Sequence, residues 1–205
     1  MRLLVLGPGA KQGHDQVDAA GLRGLGATLG FEVVVVGSAL TAGAHTSSTA
    51  IRTALALGGV DEAAAMLGRH FSLTGTVQSG DRRGREIGFP TANLGPFANA
   101  TVPMNGIYAT WAHLGGEKHM AATSIGVRPT FGAGNERRVE AYILDFNRDV
   151  YGQKLKLEFV ERLRGEVAYT GVGPLVEQIK KDVEQTRSVL NSDRGTPSPG
   201  GRGSG

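Results

Sequence analysis

The sequence IYATWAHLGGEKHMAATSI, residues 107–125, decides how this chain folds. It contains two strand-like runs, Ile107–His113 and His119–Ile125, which are separated by a Gly-Gly turn signal and by no helical pattern. Consecutive strands without a helix between them are typical of antiparallel sheets, because parallel neighbours need a long crossover connection. The stretch therefore predicts an antiparallel β-architecture for the chain around it.

The same pattern continues on both sides of this stretch. Further strand candidates, each bounded by turn residues, lie at Ser72–Gln78, Phe89–Leu94, Val139–Phe146 and Lys154–Val160. Six strands without intervening helices predict a mainly β fold, a six-stranded antiparallel closed barrel. An amphipathic helix at residues 174–190 follows, because Leu175, Ile179 and Val183 repeat every four residues on one face. Val176 and Leu190 join this face.

The first part of the chain, residues 1–46, has a different pattern. The apolar run Leu3–Leu6, a weak helical pattern at Ala19–Leu29 and the β-branched run Phe31–Val36 predict a strand, a helix and a second strand. Such a βαβ unit is normally part of a larger sheet whose faces are both covered. We therefore predict a partial α/β, Rossmann-like unit that is mobile or self-associating through its exposed strand edges and apolar faces.

Three further segments complete the predicted organisation. Residues 47–69 are expected to form a helical bridge, since Ser47 begins an N-cap cluster and glycines at 58, 59 and 68 can end its helices. Residues 70–190 hold the barrel and the last helix. The tail Asn191–Gly205 is rich in Gly, Ser and Pro, which predicts disorder.

Composition excludes several classes of function. The chain has no cysteine, so disulfides, thiolate metal sites and cysteine nucleophiles are excluded. Its apolar runs are far too short to cross a bilayer, and no cleavable signal pattern follows Met1, so we expect a cytoplasmic protein without a membrane partner. The net charge of +3 fits a polyanionic small molecule as well as nucleic acid.

A loop rich in glycine and arginine is the strongest chemical signal. Residues 75–93 read GTVQSGDRRGREIGFPTAN, with glycines at 75, 80, 84 and 88 and arginines at 82, 83 and 85. Glycines allow backbone N–H groups to converge on an anion, and arginines add charge and forked donors. A glycine-rich hairpin loop with solvated arginines explains the same spacing, so spacing alone leaves both interpretations open.

Two polar residues follow this loop directly. Thr91 and Asn93 are two apart on an extended segment, so their side chains point the same way. A hydroxyl beside an amide carbonyl supplies oxygen ligands that suit Mg²⁺ or the positioning of a phosphate. Turn formation is the simpler explanation for the pair by itself. Its place after an anion-binding loop favours the chemical interpretation.

Glu140 is the third candidate. Strand alternation places its carboxylate on one face with Tyr142, Leu144 and Phe146. A carboxylate among large apolar neighbours must be paired, metal-bound or raised in pKa. It could act as the general base for a hydroxyl proton. The competing interpretation is an ion pair with Arg128 or Arg138.

The segment from Gly80 to Leu94 resembles the signature of riboflavin kinases, including their Pro-Thr-Ala-Asn motif. The resemblance continues in the same order through short motifs to the last helix, and it covers roughly residues 70–190. These motifs lie at residues 106–109, 124–132, 139–146, 151–152 and 163–166. The resemblance implies a six-stranded antiparallel barrel that binds Mg²⁺, ATP and riboflavin, produces FMN and ADP, and has no nucleic-acid partner.

The resemblance also implies roles for individual residues. Thr91 and Asn93 would hold Mg²⁺ and the phosphates, and Glu140 would be the base on the ribityl 5′-hydroxyl. Arg164 and Glu166 would contact riboflavin. The loop 75–88 would cover the nucleotide, whose phosphates would be bound by Gly75, Gly80, Arg85, Gly88, Pro90 and Thr91.

Residues 1–69 resemble the closing part of the adenylyltransferase module of bacterial bifunctional FAD synthetases. The segment Ser47–Arg52 is similar to that module's Ser-Ser-Thr-Arg-Ile-Arg motif, with Ala50 where an arginine is usual, and the His-x-Gly-His motif is missing. We therefore expect a riboflavin kinase, with additional adenylylation of FMN to FAD as the alternative. A non-enzymatic barrel that binds nucleic acid is a third hypothesis. Aromatic residues are only 6% and do not alternate with the arginines, which argues against it.

Overall fold

The computed structural model describes residues 2–7, 9–37, 40–41, 44–45, 47–80, 83–95, 97, 100–129 and 135–194. The chain divides into two compact units, Met1–Thr46 and Ser47–Gly205. The first unit contains β1 (Leu3–Leu6), α1 (Ala19–Leu29), β2 (Glu32–Val35), β3 (Leu40–Thr41) and β4 (Ala44–His45). The second contains α2 (Ser48–Leu57), α3 (Val60–Leu67), β5 (Phe71–Gln78), α4 (Arg83–Glu86), β6 (Ala92–Gly95), β7 (Gly106–Leu114), β8 (Glu117–Pro129), β9 (Asn135–Ile143), β10 (Lys154–Arg164) and α5 (Val172–Arg194).

The first unit is built on the predicted βαβ arrangement. β1 and β2 pair in parallel and α1 connects them. The helix begins because the Asp18 side chain accepts a hydrogen bond from the Gly21 N–H, and it ends at Gly30, whose φ of +75° is left-handed. Its buried core is small, comprising Leu6, Leu22 and Val33. Several large apolar side chains stay exposed: Leu3, Val5, Leu25, Leu29, Val34 and Val36.

The second unit contains the predicted closed barrel. Its strands follow the order β10-β5-β6-β9-β8-β7, and each neighbouring pair is antiparallel. The hairpin between β7 and β8 turns at Gly115 and Gly116, which both have positive φ. Alternate residues point inward and fill the barrel, so the mainly β fold is confirmed. The largest of these inward side chains are Tyr108, Phe159, Ile125, Leu155 and Leu157.

Two strands have an end that differs from the prediction. β6 begins at Ala92 rather than Phe89, because the preceding residues form a turn in which the Phe89 N–H donates to the Gly84 carbonyl over 2.7 Å. β9 ends at Ile143 rather than Phe146, because Asp145 adopts a φ of +55° and breaks the extended backbone. Leu144 and Phe146 therefore do not continue the face of the strand that carries Glu140.

The helices α2 and α3 pack into the same core as the barrel. The Ser47 side chain accepts a hydrogen bond from the Ala50 N–H and begins α2, as the N-cap cluster predicted. Gly58 and Gly68 end the two helices with left-handed φ values of 87° and 68°. Leu55 and Val60 are almost completely buried among the inward residues of the barrel. These helices are therefore part of the second compact unit.

Helix α5 is longer than predicted and buries only part of the predicted face. Its buried residues are Asp182, Thr186 and Leu190. Leu190 belongs to the predicted apolar face, whose other members are only half-buried. The prediction of disorder from Asn191 is wrong for residues 191–194, which belong to α5. Asp193 Oδ2 accepts a hydrogen bond from Trp111 Nε1 over 2.7 Å, and Asp193 Oδ1 lies 3.1 Å from Nε2 of His70. Residues 195–205 lie outside the described residues. Within the described chain, no helix is long and apolar enough to cross a membrane.

Candidate active site

A first pocket of about 310 Å³ lies where β6 begins and β9 ends. Five of the residues to which the sequence analysis assigned a role in the site line it: Gly80, Arg85, Pro90, Thr91 and Asn93. The segment 146–151, in the connection from β9 to β10, also lines the pocket. The structure therefore gathers most of the predicted phosphate-binding residues around one cavity, and it adds a wall that the sequence analysis did not identify.

Close approaches of the backbone explain two glycines of this pocket. A Cβ added at Gly80 would lie 2.6 Å from Cγ of Asn93, so a larger residue would displace that carboxamide from its position. A Cβ added at Gly84 would clash with the Phe89 carbonyl oxygen, in the turn before Pro90 that the hydrogen bond from the Phe89 N–H to the Gly84 carbonyl closes. These glycines keep the loop backbone close to the side chain of Asn93 in β6 and to that of Thr91, which precedes β6.

Two other predicted phosphate-binding glycines do not line this pocket. Gly75 lies inside β5, where an added Cβ would be 3.3 Å from the Phe97 ring and 3.3 Å from the Gly95 nitrogen, so close strand packing explains it. Gly88 adopts a φ of +86° in the turn before β6 and has open space around its Cα. β5 ends at Gln78, as the strand pattern predicted, so residues 75–78 of the segment assigned to the loop belong to this strand.

A second pocket of about 290 Å³ lies on the outer face of the barrel. Its floor consists of outward residues of three strands, including Ser124, Glu140 and Tyr142. Helix α5 forms one side through Leu175, Ile179 and Asp182. The predicted riboflavin residues Arg164 and Glu166 also line it.

Thr91 and Glu140 meet where the two pockets adjoin. Thr91 lines both pockets, and its hydroxyl donates to Glu140 Oε2 over 3.4 Å. Asn93 is brought to the same place because β6 pairs with β9 in a register that sets Asn93 opposite Glu140. Residues 47 or more positions apart in sequence thus come together at one edge of the sheet.

Glu140 is also paired, as the competing interpretation predicted. Its Oε1 accepts a hydrogen bond from Arg138 Nη1 over 3.1 Å, and the two side chains are about one-third exposed. The prediction that large apolar side chains surround Glu140 is therefore wrong. Of its three predicted neighbours, only Tyr142 lies on the same face of β9. The Glu140 carboxylate has one oxygen directed to an arginine and the other directed to the threonine hydroxyl.

The Arg164 side chain is paired with helix α5. Its Nε and Nη2 donate to the two carboxylate oxygens of Asp182 over 2.8 and 2.7 Å, and Nη1 donates to the Gly165 carbonyl. Gln178 donates a further hydrogen bond to Asp182. The hydrogen bonds that Arg164 donates to Asp182 raise the pKa of Arg164 above its ordinary value. The ion pair therefore joins the end of β10 to α5 at the wall of the second pocket.

The donor set near Thr91 fits a cation that is held mainly by a ligand. Among the residues that the structure describes, no group of three His, Cys, Asp or Glu side chains could bind a metal ion. The Thr91 hydroxyl and the Asn93 carboxamide oxygen are hard donors on one face of the chain. Mg²⁺ is usually bound by one or two protein oxygens together with the phosphates of a nucleotide.

Sequence reasoning missed two sets of lining residues. Within segment 146–151, the sequence analysis placed Phe146 at the end of a strand and assigned no pocket role to the other residues. The positive φ of Asp145 ends the extended backbone before this segment, which lines the first pocket. Asp182 was missed because a charged residue on a helix is normally assigned to the solvent face. Its spacing of four from Gln178 and Thr186 was the available signal, since it repeats the period of the neighbouring apolar stripe.

Comparison with known families identifies the class of protein. Residues 67–190 match the family model described as Flavokinase, riboflavin kinase. This match covers more than half of the chain of 205 residues, so the chain belongs to the riboflavin kinase family, whose members use ATP.

Individual relatives give the same result. The chain is 39% identical to the bifunctional riboflavin kinase/FMN adenylyltransferase of Listeria monocytogenes over 160 residues, which are 78% of this chain and 51% of that protein. The protein of the same name from Bacillus subtilis is 42% identical over 68% of this chain and 45% of its own length. The chain thus spans about half the length of these relatives.

A solved structure resembles both parts of the chain. It is described as a macrolide-efflux protein from Streptococcus pneumoniae, and it is 35% identical to this chain with a TM-score of 0.77. The similarity covers 90% of this chain and 60% of that chain. The described fold is therefore shared with a known structure.

Proposed function

We propose that this chain transfers the γ-phosphate of ATP to the 5′-hydroxyl of riboflavin, which gives FMN and ADP. The single observation that carries this proposal is the position of Thr91, which lines both pockets and donates to Glu140. Group transfer between two substrates requires their reacting atoms to be held close together, and two adjoining cavities provide such positions. Membership in the riboflavin kinase family supports the choice of these substrates.

ATP is assigned to the first pocket. Arg85 and the glycine-bearing backbone at residues 80–84 supply donors on the side of Thr91 and Asn93, which suits the phosphates. The segment 146–151 also lines this pocket and is left for the nucleoside. The phosphate roles of Gly80, Arg85, Pro90 and Thr91 remain our assignment. We assign structural roles to Gly75 and Gly88.

Riboflavin is assigned to the second pocket. Its lining joins apolar side chains of α5 with the ring of Tyr142, which packs edge-on against Phe89 at a centroid distance of 5.2 Å. Flat, largely apolar ring systems bind in clefts of this kind, where a few polar groups fix their orientation. Glu140 lines this pocket, so a hydroxyl of the bound flavin can reach the carboxylate.

The catalytic step follows from these positions. Glu140 accepts the proton of the 5′-hydroxyl while the bond from that oxygen to the γ-phosphorus forms. The bond to the bridging oxygen breaks, and ADP leaves with its electron pair. Thr91 and Asn93 would hold Mg²⁺ on the phosphates, and the ion supplies neutralisation of the developing negative charge. The protein contributes mainly position and charge, as in other phosphoryl transfers.

We further propose a cytoplasmic location, with small-molecule partners and no nucleic acid. The absence of cysteine from the sequence suits a reducing compartment, and ATP is the proposed phosphate donor. The curated relatives are also named as FMN adenylyltransferases. Since the 205 residues contain no His-x-Gly-His motif, we do not assign that second activity to this chain.

The test is an assay of the purified chain with riboflavin, ATP and Mg²⁺. We expect FMN and ADP to form in equal amounts, as measured by chromatography with flavin fluorescence and by a coupled ADP assay. Glu140→Gln is the matched control, because it keeps the size of the side chain and removes the base. If FMN forms without ATP, or if no FMN forms at all, the proposed reaction is wrong.

A further inference from the structure

Glu166 lies at the wall of the second pocket and is restrained on one side. It follows β10 by two residues, and its Oε2 accepts a hydrogen bond from Asn105 Nδ2 over 3.0 Å. Asn105 itself does not line either of the two pockets. A glutamate of this kind on an exposed segment would normally sample many rotamers, so a fixed partner indicates a fixed position.

The orientation of the Asn105 carboxamide is set by a second residue. Arg137 Nη2 donates to Asn105 Oδ1 over 3.0 Å, and Arg137 Nη1 donates to the Val102 carbonyl over 2.8 Å. Because an arginine has only donors, it holds the oxygen end of the carboxamide, which leaves the NH₂ end to face Glu166. The chain of hydrogen bonds therefore runs from the backbone at Val102 to the pocket wall.

Gly126 makes the space that the Glu166 carboxylate occupies. A Cβ added at Gly126 would clash with Oε1 of Glu166, and it would lie 3.4 Å from Cδ and 3.9 Å from Oε2. These atoms of one side chain are its nearest neighbours, and no positive φ requires glycine at this strand position. The backbone of β8 therefore tolerates a larger residue, and the carboxylate is the group that a methyl would displace.

We propose that Asn105 and Gly126 are positioning residues that hold Glu166 as a fixed hydrogen-bond acceptor for riboflavin. A carboxylate accepts and cannot donate, so its partner on the ligand must offer an N–H or an O–H. Riboflavin offers the imide N–H of its ring and the hydroxyls of its ribityl chain. The inference rests on the proposed function and adds how flavin recognition is built at this wall.

Two variants displace Glu166 without touching the ligand. Gly126→Ala moves the carboxylate by contact, whereas Asn105→Asp keeps the Arg137 interaction and replaces the donor to Glu166 by a like charge. We expect each to weaken riboflavin binding about tenfold, the scale of one hydrogen bond to a charged group. Binding is measured by quenching of flavin fluorescence. The KM for ATP and kcat at saturating riboflavin should not change.

A double-mutant cycle separates this role from a general loss of packing. In a Glu166→Ala background, both substitutions should have no further effect on riboflavin affinity, because the group they position is gone. Gly95→Ala is the matched control: it is also a strand glycine, and its added Cβ would meet only Gln78 Oε1, at 3.8 Å. This control should bind riboflavin like the wild type.

Lumiflavin, which keeps the ring and lacks the ribityl chain, distinguishes the two donors. If Gly126→Ala also weakens lumiflavin binding, the donor to Glu166 is the imide N–H of the ring. If the loss is confined to riboflavin, the donor is a ribityl hydroxyl. Unchanged riboflavin affinity in both variants, or equal losses in the presence and absence of Glu166, would overturn the inference while wild-type catalysis persists. A wild-type chain that neither binds nor phosphorylates riboflavin would overturn the proposed function as well.

Discussion

The substitution Asp182→Asn tests the ion pair that joins α5 to the barrel. The Asp182 side chain is only 6% exposed, and it accepts two hydrogen bonds from Arg164 and one from Gln178. Asparagine supplies one acceptor oxygen and presents an NH₂ group to donors, so the arginine charge loses its partner. Removing one partner of a buried ion pair usually costs about 3–5 kcal/mol.

The low end of this range applies, because the Arg164 side chain is 21% exposed and water partly replaces the lost contact. A loss of about 3 kcal/mol is a large part of the roughly 5–15 kcal/mol that keeps a domain folded. For a unit of this size it lowers the melting temperature by about 6–12 °C. Trp111, the sole tryptophan of the sequence, reports the transition because it bonds to the last turn of α5.

Asp145→Asn provides the matched control. Arg187 of α5 also donates to Asp145 over 2.7 Å, but the Asp145 side chain is 73% exposed. Asparagine tolerates the left-handed backbone of this position, so only the charge is lost. Unfolding by urea and by heat should show a much smaller effect than in Asp182→Asn. Equal destabilisation by the two substitutions would refute the reasoning that burial decides the strength of these pairs.

Three further predictions concern the proposed active site, the loss of stability at low pH and the first unit. Glu140→Gln should lower kcat about 10²–10⁴-fold, the usual contribution of a general base, and Thr91→Ala should weaken the dependence on Mg²⁺ and lower turnover; an unchanged rate in Glu140→Gln would remove the proposed base. Hydrogen bonds from Arg148 and His119 lower the pKa of Glu117, so their stabilisation is present above the ordinary value of 4.5 and is lost as pH falls through the lowered value. The melting temperatures of the wild type and Arg148→Gln should therefore converge in acid. Amide exchange should be faster in the first unit than in the barrel strands, because its core is small and many apolar side chains are exposed; equal protection in both parts would contradict this.

The sequence was sufficient to predict the barrel because strand and turn signals are local. Turn signals such as Gly115-Gly116 separated the strand candidates, and the antiparallel arrangement followed from the absence of helices between them. The ends of β6 and β9 were misplaced because they depend on backbone conformations at Phe89 and Asp145 that composition does not reveal. Strand interiors were therefore predictable, and the chain segments that form pocket walls were less so.

Part of the site could also be predicted, because the side chains that one strand places on a common face follow from local spacing. Thr91 and Asn93 share a face by simple alternation, but their meeting with Glu140 depends on the register between β6 and β9, which spacing alone does not give. Arg164 was assigned to the ligand by resemblance, whereas the structure directs its donors to Asp182. That partner follows at a separation of 18 residues and on another element, so no local pattern in the sequence connects them.

The position of Thr91 in the walls of both cavities has a thermodynamic consequence. A side chain that contacts two ligands at once makes their affinities interdependent, so an ATP analogue and riboflavin must change one another's dissociation constant by the same factor. Replacing this hydroxyl by a methyl group of similar shape, as in valine, should bring that reciprocal factor closer to one. Calorimetric titration of each ligand in the presence and absence of the other would measure the coupling directly, without any turnover.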